Sequence, residues 1–323
     1  MRAATFLAAL LTAGLCLFSG GVSPAEAAWP EKPVQIVVPY PAGGQADGII
    51  RILQPALSKH LGVPVAVVNV PGVSATRGLA QVVEAAPDGY TIGTFQEAVI
   101  GTYLTGITKY NFSNLDTLNN LVFSPIMIVG NTKDPWKTLP EFVKAAKAKP
   151  GQMKYAVLLG SATHFAIMDL CDKAGINVRM VPYNGHAERQ NALLGGYVDG
   201  TDSSPVAAAS YVKAGKFNAL AMLTEERLPG SENVPTAKEQ GYDVSFAFHY
   251  GLYGPKGLPA EVKSKIAEAA RLALEDPETA KRLAASGNPA RFMDAKAMDA
   301  HNAREMRRLD AVAEKSGIKN LQK

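Results

Sequence analysis

The chain has 323 residues, 19% of them charged, and a formal net charge of +4. That charge is modest and scattered, with no long run of basic residues, so a nucleic-acid partner is not expected. A chain of this length exceeds the size at which one hydrophobic core stops growing, which predicts two lobes.

The elements begin with a short positive start at Arg2, the apolar run "FLAALLTAGLCLF" and small residues at Ala25-Glu26-Ala27. They read as a cleaved secretory signal over residues 1–27, which places the mature chain in the periplasm. Cys16 follows Leu15 rather than a small residue, which argues against an acyl anchor. Removing the signal leaves Cys171 as the one cysteine, so no internal disulfide is expected. The histidines at 60, 164, 186, 249 and 301 show no H-x-x-x-H or H-E-x-x-H spacing, so neither a metal site nor a cofactor is expected. No later segment is long and apolar enough to read as a membrane span.

A strand-turn-helix rhythm then sets in. "VQIVV" leads to a helix over Asp47 to Leu61, "PVAVVNV" to "ATRGLAQVVEAA", and "YTIGTF" to "QEAVIGTYLTG". "SPIMIVGN" leads to "WKTLPEFVKAAKAKPG", "MKYAVLL" to "GSATHFAIMDLCDKAG", "VRMVPY" to "NGHAERQNALLGG", and "YVDGTDSS" to "PVAAASYVKAG". The alternation predicts an α/β architecture with mostly parallel sheets, and the glycines at helix ends supply left-handed caps.

Ligands in such sheets gather where strands turn into helices. The turn "VPYPAGGQAD", residues 38–47, puts Gly43 and Gly44 just before a helix start, where unpaired N–H groups and a partial positive charge favour an anion. Pattern alone balances that reading against a plain tight turn. Asp47 is expected to cap the helix and pair with Arg51 one turn on. Ser161 and His164 share a helix start and invite a nucleophile–base reading. No G-x-S-x-G elbow or third orienting residue accompanies them, so hydroxyl donation is preferred. Asp202, Ser203 and Ser204 precede Pro205 at a predicted helix start, where at least one caps. Asn184 and His186, after "VPY", are expected to cap the next helix or to reach the cleft. Glu97 and Arg77, the charges nearest the predicted cleft, are expected to be solvated or mutually paired.

The segments "WPEKPVQIVVPYPAGGQAD", "NVPG", "AAPDGYTIG", "PWKTLPEFVKAAKAKPGQMKYAV", "VPYNGHAERQNALLGGYVDG", "RLPGSENVPTAKEQGYDV" and "GLYGPKGLPAEV" resemble, in order, the signatures of the Bug family. These are extracytoplasmic solute receptors of tripartite tricarboxylate transporters. The resemblance spans the mature chain and implies a type II periplasmic-binding-protein flytrap, with a ligand cleft between two Rossmann-like domains. One lobe would comprise residues 28–127 and 250–323, the other 128–249, with a hinge near Pro125 to Asn131 and Ala247 to Gly254. It implies a monomeric receptor, not an enzyme, that delivers a small carboxylate to membrane permease subunits.

The carboxylate grip carries over to Tyr40, Ala42, Gly43, Gly44, Gln45, Ala46 and Asp47, and to Ser161, Ala162, Thr163 and His164. Phe95, Asn184, Asp202, Ser203 and His249 are further candidates. The chain departs from the family at Val73 to Arg77, in the short "LLGSATH" turn, and at Phe248-His249-Tyr250, where many members carry Trp. His249 is therefore expected to face the far end of the solute. The alternatives are a component that presents its solute to a sensor kinase, and an exported hydrolase using Ser161 and His164.

Overall fold

The computed structural model describes residues 29–72, 74–183 and 185–319. The signal expected at 1–27 and the candidate Asn184 lie outside the described residues.

The first lobe is built from β1 (Val34–Val38), α1 (Gln45–Leu61), β2 (Val65–Asn69), α2 (Thr76–Val83), β3 (Thr91–Phe95), α3 (Ala98–Leu104) and the long β4 (Leu115–Pro125). The second takes β5 (Met127–Asn131), α4 (Leu139–Ala148), β6 (Lys154–Val157), α5 (Ala162–Ala174), β7 (Arg179–Pro182), α6 (His186–Gly195), β8 (Gly200–Ser203), α7 (Pro205–Lys213) and β9 (Phe217–Met222). The chain then returns to the first with β10 (Ala247–Pro255), α8 (Ala260–Glu275), α9 (Pro277–Ala285), β11 (Ala290–Asp294) and α10 (Ala295–Lys315). The six-stranded sheet has the order β11-β4-β10-β3-β1-β2 and the five-stranded sheet β7-β6-β8-β5-β9.

Local sequence explains the turns that position the site. β1 is β-branched and almost entirely buried, as a central strand covered on both faces must be. α1 has Asp47 in its first turn and Lys59 and His60 in its last, each matched to the helix dipole, and stops at Gly62 in the left-handed region. α5 and α6 stop the same way, at Gly175 and Gly196. α7 begins with Pro205 after Ser204, whose hydroxyl accepts the Ala207 N–H at 3.2 Å, so Ser204 supplies the expected cap.

The sheets are mixed, not mostly parallel. β10 runs antiparallel to both β3 and β4, β11 is antiparallel to β4, and β5 is antiparallel to β8 and β9. The cause is connectivity. β4 passes almost directly into β5 of the other sheet through Ile126, and the chain comes back between Met222 and Ala247, so these strands run without the crossover helix that parallel pairing requires.

Candidate functional site

A cavity of about 540 Å³ lies between the lobes. Tyr40, Gly43, Gly44, Gln45, Gln96, Phe248 and Asn288 line it from the first lobe, and Gly160 to Thr163, His186, Arg189, Asp202 and Ser204 from the second. A larger hollow of about 750 Å³ sits on the first lobe alone. Its lysines Lys256 and Lys263 are already paired with Asp116, so the interlobe cavity is the better candidate.

Helices from both lobes start at this cavity. α1 begins at Gln45, α5 at Ala162, α6 at His186 and α7 at Pro205, and the cavity is lined at or beside each start. Their positive ends converge on one volume, which favours an anion there. Among the described residues, the N–H groups of Gln45, Ala46, Ala162 and Thr163 take no backbone or side-chain acceptor. They are the donors a carboxylate would meet.

The first turn is braced from beneath. Gly43, at φ 78, donates its N–H to Asp47 Oδ2 at 2.8 Å. Arg51 Nε donates to the same oxygen at 2.9 Å, and Asn69 Nδ2 to Asp47 Oδ1 at 2.9 Å. Burial pushes the Asp47 carboxyl up, but the bonds from Arg51, Gly43 and Asn69 outweigh it and hold the group below its ordinary value. Of the two glycines only Gly43 needs the left-handed region; Gly44, the N-cap, has φ −76. At the mouth of the cavity Gln96 Nε2 donates to the Tyr40 hydroxyl at 2.8 Å, and Gln45 Nε2 to Asn288 Oδ1 at 2.7 Å.

In the second lobe Ser161 caps α5, its Oγ accepting the His164 N–H at 3.2 Å. His164 Nδ1 accepts the Gly160 N–H at 3.2 Å, not the Ser161 hydroxyl. Burial lowers His164 to about 4, so it is a neutral brace for the turn. This geometry gives no nucleophile–base pair. In the same lobe, Arg189 Nη2 and Asp202 Oδ2 form an ion pair at 3.0 Å with both side chains buried.

A family model described as "Tripartite tricarboxylate transporter family receptor" matches residues 49–318. The chain belongs to this family of receptors. The periplasmic binding protein BugD is 27% identical with a TM-score of 0.77, covering 90% of this chain and 100% of its own. A Rhodopseudomonas palustris protein solved with adipate is 25% identical with a TM-score of 0.80, covering 91% and 100%. Another from the same organism, MatC with bound malate, is 26% identical with a TM-score of 0.75, covering 88% and 99%. The two-lobed periplasmic-binding-protein fold is thus shared, and the family consists of solute-binding receptors, not enzymes.

In the receptor, nine of the residues proposed from sequence line the cavity: Tyr40, Gly43, Gly44, Gln45, Ser161, Ala162, Thr163, His186 and Asp202. Others lie elsewhere. Ala42 is exposed, while the side chains of Ala46 and Asp47 are buried behind the turn, leaving Ala46 to act through its backbone N–H alone. Phe95 is a core residue against Tyr253, His164 sits beneath its turn, and Ser203 Oγ is bonded to Gln190 and the Ser204 carbonyl.

His249 departs most from expectation. Successive residues of a strand point to opposite faces, and Phe248 takes the cavity side of β10. His249 turns away to a separate hollow with Phe123, Arg291 and His301. There it meets Glu97, which is neither solvated nor paired with Arg77. Glu97 is buried and accepts from His249 N at 3.0 Å, His249 Nδ1 at 2.9 Å and His301 Nε2 at 2.9 Å. Burial pushes the Glu97 carboxyl up, but bonds from the two histidines override it and bring it to about 2. The three residues place ligand atoms within 4.8 Å of one another, a spacing that could hold a metal ion. Arg304 Nη2 lies 3.0 Å from His301 Nδ1, however, and a guanidinium can only donate. The His301 proton is therefore on Nε2, directed at Glu97, and the cluster is closed as a hydrogen-bonded staple.

Proposed function

We propose that the receptor holds a small organic carboxylate between its lobes, at the starts of α1 and α5, and presents the closed form to membrane permease subunits from the periplasmic side. The single observation that carries this reading is the convergence of helix starts from both lobes on one cavity, with N–H donors left over on each side. The adipate and malate held by two similar proteins agree with it. A stable anion needs only preorganised donors, and no transition-state machinery is called for. The chain crosses between the sheets at Ile126 and in residues 223–246, the latter just before the expected Ala247 to Gly254, which lies within β10; these crossings support a hinge through which binding shifts an open–closed equilibrium.

A thermal-shift comparison of small carboxylates with their methyl esters tests the proposal. At a hundred times its Kd a carboxylate should add about 2.7 kcal/mol of stability, and its ester close to none. Equal stabilisation by ester and acid, or silence across all the carboxylates, would overturn it.

A further inference from the structure

The second-lobe wall of the cavity, at α6 and the end of β8, carries three polar atoms that nothing in the described residues satisfies: Arg189 Nε, Asp202 Oδ1 and His186 Nε2. All three residues line the cavity, and Arg189 and Asp202 are more than nine-tenths buried. Buried polar atoms without partners are costly and uncommon, and three in one patch of wall point to a partner that arrives with the solute.

The chemistry of the patch selects that partner. Arg189 Nε–H can only donate and Asp202 Oδ1, in an ionised carboxylate, can only accept. Their charges already cancel in the 3.0 Å ion pair between Arg189 Nη2 and Asp202 Oδ2. A second carboxylate would answer Arg189 but set its oxygens against Asp202 Oδ1. An ammonium would answer Asp202 but leave Arg189 Nε bare. A methyl group would satisfy neither. A carboxamide or hydroxyl offers an acceptor and a donor together and adds no charge. His186, kept neutral at neutral pH chiefly by burial, can take either role at its free nitrogen.

We infer that Arg189, Asp202 and His186 form a distal subsite that selects carboxylates bearing an uncharged donor–acceptor group, a carboxamide or hydroxyl, at the end opposite the gripped carboxylate. This rests on the carboxylate reading above and adds the identity of the other end. It separates this receptor from one built for dicarboxylates.

Calorimetry with matched straight-chain acids of four to six carbons, whose far end is methyl, hydroxyl, carboxamide or carboxylate, tests it. At the best-fitting length the carboxamide or hydroxyl acid should bind at least about tenfold tighter than both the methyl acid and the diacid, the value of one well-made buried hydrogen bond. The preference should vanish in an Arg189→Leu, Asp202→Leu double variant, which removes both charges together and so avoids a stranded one. His186→Ala, with the ion pair intact, should reduce it. Tightest binding of the diacid, or equal binding of the methyl acid, would overturn the subsite while leaving the carboxylate grip standing. Failure of every acid in the series would overturn the grip and the subsite together.

Discussion

Replacing Glu97 by alanine is expected to lower the unfolding free energy by about 3–5 kcal/mol, the usual cost of removing one partner from a buried charged network. Three donors, from His249 N, His249 Nδ1 and His301 Nε2, would lose their acceptor at once. They come from β10 and α10, so the end of β3 would lose its tie to both. The milder Glu97→Gln change isolates the charge. Because Glu97 sits near 2 when folded, against an ordinary carboxyl value of 4.5, its ionised form favours the folded state. That contribution, on the order of 3 kcal/mol, is complete above about pH 4.5 and is lost as the pH falls toward 2. Urea unfolding of wild type and Glu97→Gln should show a stability gap at pH 7 that narrows at pH 3. A gap that stays constant across that range would mean the staple works by shape alone.

Gly101→Val is expected to weaken carboxylate binding while leaving each lobe folded. Gly101 lies in α3 of the first lobe, and a Cβ there would stand 2.5 Å from the Gly160 carbonyl oxygen of the second, with Phe165 Cε2 at 3.2 Å. The Gly160 carbonyl is backbone in a turn that lines the cavity, at φ 73, and cannot swing aside as a side chain would. Overpacking of this kind costs about 1–3 kcal/mol. We propose that the lobes part at this contact on opening, so that the cost falls on the closed arrangement. Apparent affinity should drop roughly 5- to 150-fold by calorimetry, with the urea midpoint of the free protein little changed. Unaltered affinity would show that the contact does not govern closure.

What the sequence made legible was local. The Asp47–Arg51 pair is an i,i+4 relation, the Ser204 cap and Pro205 at a helix start are neighbours, and Gly43 announces its turn by residue type. Each needs only a few adjacent residues to specify it. Facing was not legible in "FAFHYGLY", because apolar and aromatic residues occupy both faces of β10 and no alternation says which side meets the cavity. The expectation chose His249 where Phe248 faces in. Arg189 was missed for a different reason. In "HAERQNALLGG" a lone arginine reads as solvated, and only its meeting with Asp202, thirteen residues on, explains its burial. The Glu97–His249–His301 staple joins three segments 152 and 204 residues apart from Glu97, beyond any spacing rule. β4 was likewise obscured by Asn119 and Asn120, polar residues that are nonetheless fully buried in this first-lobe strand.

The most direct test of the central claim is a crystal structure of the receptor with a bound small carboxylate. The carboxylate oxygens should lie within about 2.7–3.2 Å of N–H groups at the starts of both α1 and α5, at Gln45 or Ala46 on one side and Ala162 or Thr163 on the other. A carboxylate seated instead on Arg189, with those two helix starts contacting only solvent, would contradict the account.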